Sequence, residues 1–268
     1  MDPPAGLVAF VMRSENRLVA LCRVAEGPTT RSTLQETTGI PRATLSRILA
    51  DFRERDLLDR EGRTYVPTVL GVRLARELER VFAAVEEATA LQTVATWLPR
   101  RDLDVALADL ENVRITLPQI ADPMAPVRRA AAVVGEADTV RGFCYTVLHV
   151  PILTETAAVV REGRTFEGVV ARAVLDVIAA DAELRTAVEA LAGSGRASLW
   201  IYDGAIGPQF IVADEVVAFL ATSGEGTIQG LVETRDDRLR PWADRTFEAY
   251  RSAADRVDPD NVAEILTP

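Results

Sequence analysis

The sequence predicts a chain in two parts joined by a long helix. The first part is a small N-terminal α+β unit of short helices and one hairpin; the second is a larger α/β domain with a mixed sheet. Three observations lead there. Up to residue 67, apolar residues recur at helical spacing and are punctuated by Gly27-Pro28, Gly39 and a polar DREGR tip. Residues 68–98 then keep one unbroken three-and-four spacing. Beyond residue 100, β-branched runs alternate with helical ones and give way to four strand-like runs in succession. A length of 268 residues suits two domains, and the boundaries fall at 1–67, 68–98 and 99–268.

Leu7, Phe10 and Val11 make one small apolar face. Ser14 stands as an N-cap, and Leu18, Leu21, Cys22 and Ala25 follow at helical spacing until Gly27-Pro28 ends the run. Thr30 caps a short helix, RSTLQETT, that stops at Gly39. Pro41 then takes a favoured first helical position, and RATLSRILADFRERD sets Leu45, Ile48, Leu49 and Phe52 on one stripe. Leu57 and Leu58 lead through DREGR to Thr64, Tyr65 and Val66, a hairpin signal centred on Glu61-Gly62. The run that follows places Leu70, Leu74, Leu78, Val81, Val85, Ala88 and Leu91 on one seam, and Pro99 terminates it. About 30 helical residues span ~45 Å, longer than one compact domain uses for its own packing. A seam of that length is expected to bury against a partner helix, which makes the chain a homodimer.

In the second part, strands are expected at Val113–Leu117, Val140–Val147, Thr165–Val170, Ala197–Tyr202, Gln209–Ala213, Val216–Ala221 and Thr227–Thr234. Helices are expected at Pro123–Val134, Ile152–Arg161, Ala173–Ala192 with a break near Asp181, and Pro241–Ala254.

Composition excludes much. The chain carries 30 basic and 40 acidic side chains, every basic one is arginine, and there is a single histidine, His149. A two-histidine metal site, a Schiff-base lysine and a P-loop lysine are therefore impossible within one chain. No G-x-S-x-G occurs, so no catalytic role and no cofactor are expected. Loss of lysine fits GC-rich coding or a salt-loaded cytoplasm, and sequence alone does not separate them. Cys22 and Cys144 lie in apolar stretches and read as reduced thiols. No apolar run reaches the ~20 residues of a membrane helix, and MDPPAGLVAFVMRSENR has neither a basic leader nor a small-residue cleavage pattern. A cytoplasmic protein is expected.

Charge is uneven. Residues 1–73 hold 11 arginines against 9 acids, whereas the remainder holds 19 against 31. A slightly basic module on an acidic body points to nucleic acid. The order helix, glycine turn, Pro-started helix and basic hairpin satisfies what a winged helix-turn-helix needs. Leu34 supplies the support helix's apolar contact, and Ile40 can plug the angle between helices. Arg42, Ala43, Thr44, Ser46 and Arg47 lie near the start of the second helix, where a recognition helix meets base edges. Thr30 and Arg31 before them, and Arg60 and Arg63 in the hairpin, are placed for phosphate. Any single arginine also suits a solvated face, and such modules also bind proteins. A protein-interaction module without specific DNA binding is thus the alternative.

The segment GPTTRSTLQETTGIPRATLSRILADFRERDLLDREGRTYVPTVLG resembles the winged helix of archaeal ArsR- and MarR-like regulators. FEGVVARAVLDVIAAD, LWIYDG and LVETRDDRLRPWADRTFEAYR resemble the regulatory domain of haloarchaeal proteins related to the methanogenesis regulator FilR. The resemblance implies a transcription regulator, often dimeric, that joins a DNA-binding winged helix to an α/β domain of unsettled ligand. Repression is the simpler sign of action, because a bound module excludes other factors from a promoter. Related α/β domains in sugar-sensing archaeal regulators resemble phospholipase-D-like folds, whose catalytic His-Lys pairs cannot exist here. Ligands of open α/β sheets sit beyond the carboxyl ends of strands. By that rule Thr146, His149, Arg172, Asp203 and Gln209 are candidates for an unknown small-molecule effector, with Arg172 facing an anion. Ordinary turn and packing roles for His149 and Asp203 compete with this reading.

Overall fold

The computed structural model describes residues 3–99, 102–144, 150–204, 209–223 and 226–266. The chain divides into two compact units, Met1–Glu86 and Glu87–Pro268.

The first unit runs α1 (Pro4–Met12), α2 (Glu15–Ala25), β1 (Thr29–Thr30), α3 (Arg31–Thr38), α4 (Arg42–Glu54), β2 (Leu58–Glu61), β3 (Thr64–Pro67) and α5 (Val69–Val94). Each boundary has a local cause. The Thr30 hydroxyl accepts from the Thr33 N–H at the start of α3. Gly39 ends that helix at φ 69°, a left-handed conformation that costs glycine little. Pro41 precedes α4, whose Leu45, Ile48, Leu49 and Phe52 are all buried. Each such side chain contributes about 1.5–3 kcal/mol on removal from water. They pack with Leu7, Val11, Leu21, Leu34, Ile40 and Leu57 into one core.

The hairpin differs from expectation by one residue. Glu61 pairs with Thr64, so the turn is Gly62-Arg63 rather than Glu61-Gly62. Gly62 takes φ 61°, which the first turn residue of a two-residue hairpin requires. β1 adds on the other side, with Thr29 opposite Tyr65, giving the order β1-β3-β2.

The long helix is shorter than the 68–98 seam implied. α5 ends at Val94, and a 3-10 turn, Ala95–Trp97, follows it. Its apolar stripe is also divided. Leu74, Ala75 and Leu78 pack into the first unit's core, and Leu91 and Val94 into that of the second. Between them Val81 and Val85 stand 55% and 57% exposed.

The second unit continues with β4 (Val113–Thr116), α6 (Ala125–Gly135), β5 (Thr139–Cys144), α7 (Val150–Arg161), β6 (Thr165–Ala171), α8 (Leu175–Ala180), α9 (Ala182–Ala192), β7 (Ala197–Tyr202), β8 (Phe210–Ala213), β9 (Val216–Thr222), β10 (Ile228–Thr234), α10 (Arg240–Ser252), β11 (Asp255–Arg256) and α11 (Val262–Ile265). One eight-stranded sheet results, ordered β11-β7-β6-β5-β8-β9-β10-β4. β5, β6 and β7 are parallel and the other pairings antiparallel, so the sheet is mixed. Asp181 separates α8 from α9 by capping the latter, accepting from the Glu183 and Leu184 N–H groups. Strand alternation divides the apolar residues between two layers. Val140, Leu199 and Ile201 pack with Ile152, Ile178 and Leu191 of the helices, whereas Phe143, Val169 and Trp200 pack with Trp242 and Phe247 of α10. Among the described residues no helix is long and apolar enough to cross a membrane.

Candidate nucleic-acid interface

In the first unit the capped start of α3, the start of α4 and the hairpin converge. Thr30, Arg31, Ser32, Gln35, Arg42, Arg60, Arg63 and Tyr65 line one cleft of about 620 Å³. Five of the nine residues singled out from the sequence are thus brought together there: Thr30, Arg31, Arg42, Arg60 and Arg63. Ser32, Gln35 and Tyr65 were missed. Tyr65 was read only as a strand residue, and its ring lies beneath the Arg60 guanidinium at 5.8 Å.

Ala43 and Arg47 stand exposed on α4, outside the cleft lining. Thr44 and Ser46 are half-buried. The Ser46 hydroxyl is engaged: it donates to the Arg42 carbonyl at 2.8 Å and accepts from Arg31 Nη1 at 3.3 Å. Its first effect is to hold Arg31 against α4. The hairpin arginine is oriented too, since Arg60 Nε donates to the Gly62 carbonyl at 2.9 Å.

The charge of this face is carried by arginines. In this unit the ion pairs among the described residues join Arg17 to Asp51, Arg23 to Glu26, Arg55 to Glu54 and Arg80 to Glu77. Arg31, Arg42, Arg47, Arg60 and Arg63 enter none of them. In the second unit Arg129, Arg141, Arg172 and Arg238 each hold a carboxylate. Four guanidinium groups around one cleft lined by no carboxylate offer planar, paired N–H donors that suit an anion able to accept two hydrogen bonds, such as a phosphate diester. Cys22 belongs to the packing instead: burial, with Glu79 beside it, pushes its thiol up to about 11, so it stays protonated at neutral pH.

The effector candidates fare differently. Thr146 and His149 lie outside the described residues. Arg172 and Asp203 meet at the ends of β6 and β7, where Arg172 Nε lies 2.7 Å from both carboxylate oxygens. The guanidinium expected to face an anionic ligand is thus already neutralised by its own chain. Gln209 is buried, away from bulk water, in the lining of an apolar cavity. Among the described residues no cluster of three or more His, Cys, Asp or Glu side chains could hold a metal ion.

Residues 123–253 match the family described as Methanogenesis regulatory protein FilR1, middle domain. Residues 6–90 match the family described as HVO_A0261 N-terminal domain. No curated protein matches the chain. Among solved structures, the chain is similar to TrmBL2, an archaeal chromatin protein described as binding DNA, at 15% identity and a TM-score of 0.43, with 90% of this chain and 93% of that chain covered. It is also similar to the phospholipase D family member Nuc from Salmonella typhimurium, at 13% identity and a TM-score of 0.44, over 55% of this chain and 97% of that one. NucT from Helicobacter pylori covers the same share, with 99% of its own chain, at 10% identity and a TM-score of 0.45. Likenesses of this size say nothing of what the chain binds.

Proposed function

Taking the regulatory-protein match of residues 123–253 as premise, we propose that the chain is a DNA-binding transcription regulator and no enzyme. The first unit acts as a winged helix-turn-helix, with α3 as support, α4 as recognition helix and the β2-β3 hairpin as wing. One observation carries this reading: Arg31, Arg42, Arg60 and Arg63 line one cleft without carboxylate partners among the described residues, in a chain with ten more acids than bases. In the proposed complex Arg31, Arg60 and Arg63, with Thr30, take backbone phosphates. Arg42, Ala43, Thr44, Ser46 and Arg47 enter the major groove, where an arginine pairs bidentately with guanine O6 and N7.

A homodimer formed through α5, using exposed Val81 and Val85, would set two recognition helices about 34–36 Å apart, one turn of duplex. The second unit acts as the sensor, and an effector changes affinity only by binding its two arrangements unequally. Repression, a cytoplasmic location and a haloarchaeal setting complete the proposal. The test is a gel shift of the full chain on DNA upstream of its own gene. Specific retention is expected, lost in the Arg42→Ala, Arg47→Ala double variant. Unaltered retention by that variant would remove α4 from the groove.

A further inference from the structure

The second unit encloses a cavity of about 80 Å³, and the sheet itself explains why it exists. Gly142 of β5 and Gly168 of β6 are direct register partners in neighbouring parallel strands, and both line the cavity. Glycine in a covered central strand is costly and leaves nothing to pack. Gly142 leaves a shallow floor where a side chain would otherwise stand, whereas the place above Gly168 is taken by the Phe166 ring. Helices close it from above with Ile152 and Thr156 of α7 and Leu191 of α9, and Leu266 adds from beyond α11.

The two glycines do different work. At Gly168 a Cβ would come within 2.7 Å of the Phe166 ring, so its absence is what seats that ring. At Gly142 the nearest atom to an added Cβ is the Phe210 carbonyl oxygen at 3.4 Å, with the Ile211 side chain at 3.9 Å. A Cβ at Gly142 would therefore meet ordinary van der Waals contact rather than a clash, beside the cavity that Gly142 lines.

Water is a poor occupant. By volume the cavity exceeds the ~10–15 Å³ that one water needs, but a buried water also needs two to four polar partners. The lining is apolar apart from a few groups, and the Thr156 hydroxyl already donates to the Ile152 carbonyl at 2.8 Å. Charged ligands are excluded more strongly still, since no ionisable side chain lines the cavity among the described residues. A hydrocarbon meets neither obstacle, and gains both the removal of apolar surface from water and dispersion contacts on every side. An engineered cavity of about 150 Å³ lined by aliphatic residues admits the six carbons of benzene, so this one, about half that size, suits about three or four carbons.

We propose that this cavity is a binding site for a small uncharged hydrocarbon of about three or four carbons. Its meaning as the regulator's effector site rests on the function proposed above; binding does not. Of the residues expected at an effector site, Gln209 lines this cavity.

The experiment uses the full chain without DNA, with cyclopropane as probe and propionate as a charged counterpart of the same carbon count. Cyclopropane should raise the Tm saturably with one-to-one stoichiometry by NMR titration, and propionate should not. Gly142→Val, which fills the floor, should abolish the cyclopropane shift. Gly142→Ala, for which the site has room, should weaken cyclopropane binding at least tenfold while leaving the circular dichroism unchanged. Gly142→Ala decides the matter if the valine variant does not fold. Absence of a saturable shift in the wild type, or equal shifts in the wild type and Gly142→Ala, would overturn the proposal. The Arg42→Ala, Arg47→Ala variant should bind cyclopropane normally, so failure of either reading is visible apart from the other.

Discussion

Replacing Arg31, Arg60 and Arg63 together by glutamine removes three of the four guanidinium groups that line the cleft of the first unit. Arg60 and Arg63 are exposed and Arg31 is half-buried, and among the described residues none holds a carboxylate, so the fold should survive. Each phosphate neutralised contributes about 0.9 to the slope of log affinity against log salt, and three contribute about 2.7. Between 50 and 200 mM salt the wild type should therefore lose about 40-fold more affinity than the variant. Fluorescence anisotropy on one labelled duplex over a salt series measures both slopes. A slope reduced by about 2–3 supports phosphate contact by these residues. An unchanged slope would refute it, and would assign the cleft to something other than duplex DNA. The same physics bears on a salt-rich cytoplasm, where such attractions are screened and specificity has to lean on base contacts from α4.

Four further outcomes are expected. Gly71→Ala should destabilise the first unit by several kcal/mol in urea melts, because the added Cβ would overlap the Leu57 carbonyl oxygen; the ~1 kcal/mol gain in helix propensity does not offset that clash. Asp236→Asn should cost about 1–3 kcal/mol, since the buried carboxylate accepts from the Arg238 side chain and from the Glu111 and Arg238 N–H groups. The Arg238 guanidinium and these N–H groups hold the Asp236 carboxyl well below the usual carboxylate range. Its contribution is therefore complete above about pH 4 and lost as pH falls through the lower folded value, a loss that acid titration should find missing in the variant. Cys22 should resist iodoacetamide at pH 7–8 and react only as pH approaches 11, measured by mass spectrometry in a Cys144→Ser background. Val81→Glu should shift the chain from dimer to monomer in sedimentation and weaken DNA binding; an unchanged sedimentation coefficient would remove α5 from the interface.

Much of the fold was legible because local rules and packing agree. α4 carries its core stripe on four residues at helical spacing, β7 begins and ends at the expected Ala197 and Tyr202, and Asp181 breaks a helix by capping the next one. The hairpin was legible to within one residue, since Glu61-Gly62 and Gly62-Arg63 read alike until the strand register is known. Non-local facts were not legible. Nothing in the sequence announces that Arg172 and Asp203 meet, that Arg31 leans on Ser46, or that β11, two residues long, pairs with β7. The cavity was hidden for a related reason. A glycine in a strand reads only as a weaker strand, and only the folded sheet shows Gly142 as a cavity floor with the Phe166 ring seated over its register partner Gly168. At the interface the arginines were legible as a basic surface. Their convergence on one cleft needed the fold.

The most direct test of the central claim is selection of bound sequences from a randomised duplex pool, with the wild type and Arg47→Ala in parallel. The account predicts a recovered motif of two half-sites about one helical turn apart, with a guanine preference that Arg47→Ala relaxes at one position per half-site. Recovery of no motif by the wild type, or of the same motif by both proteins, would contradict it.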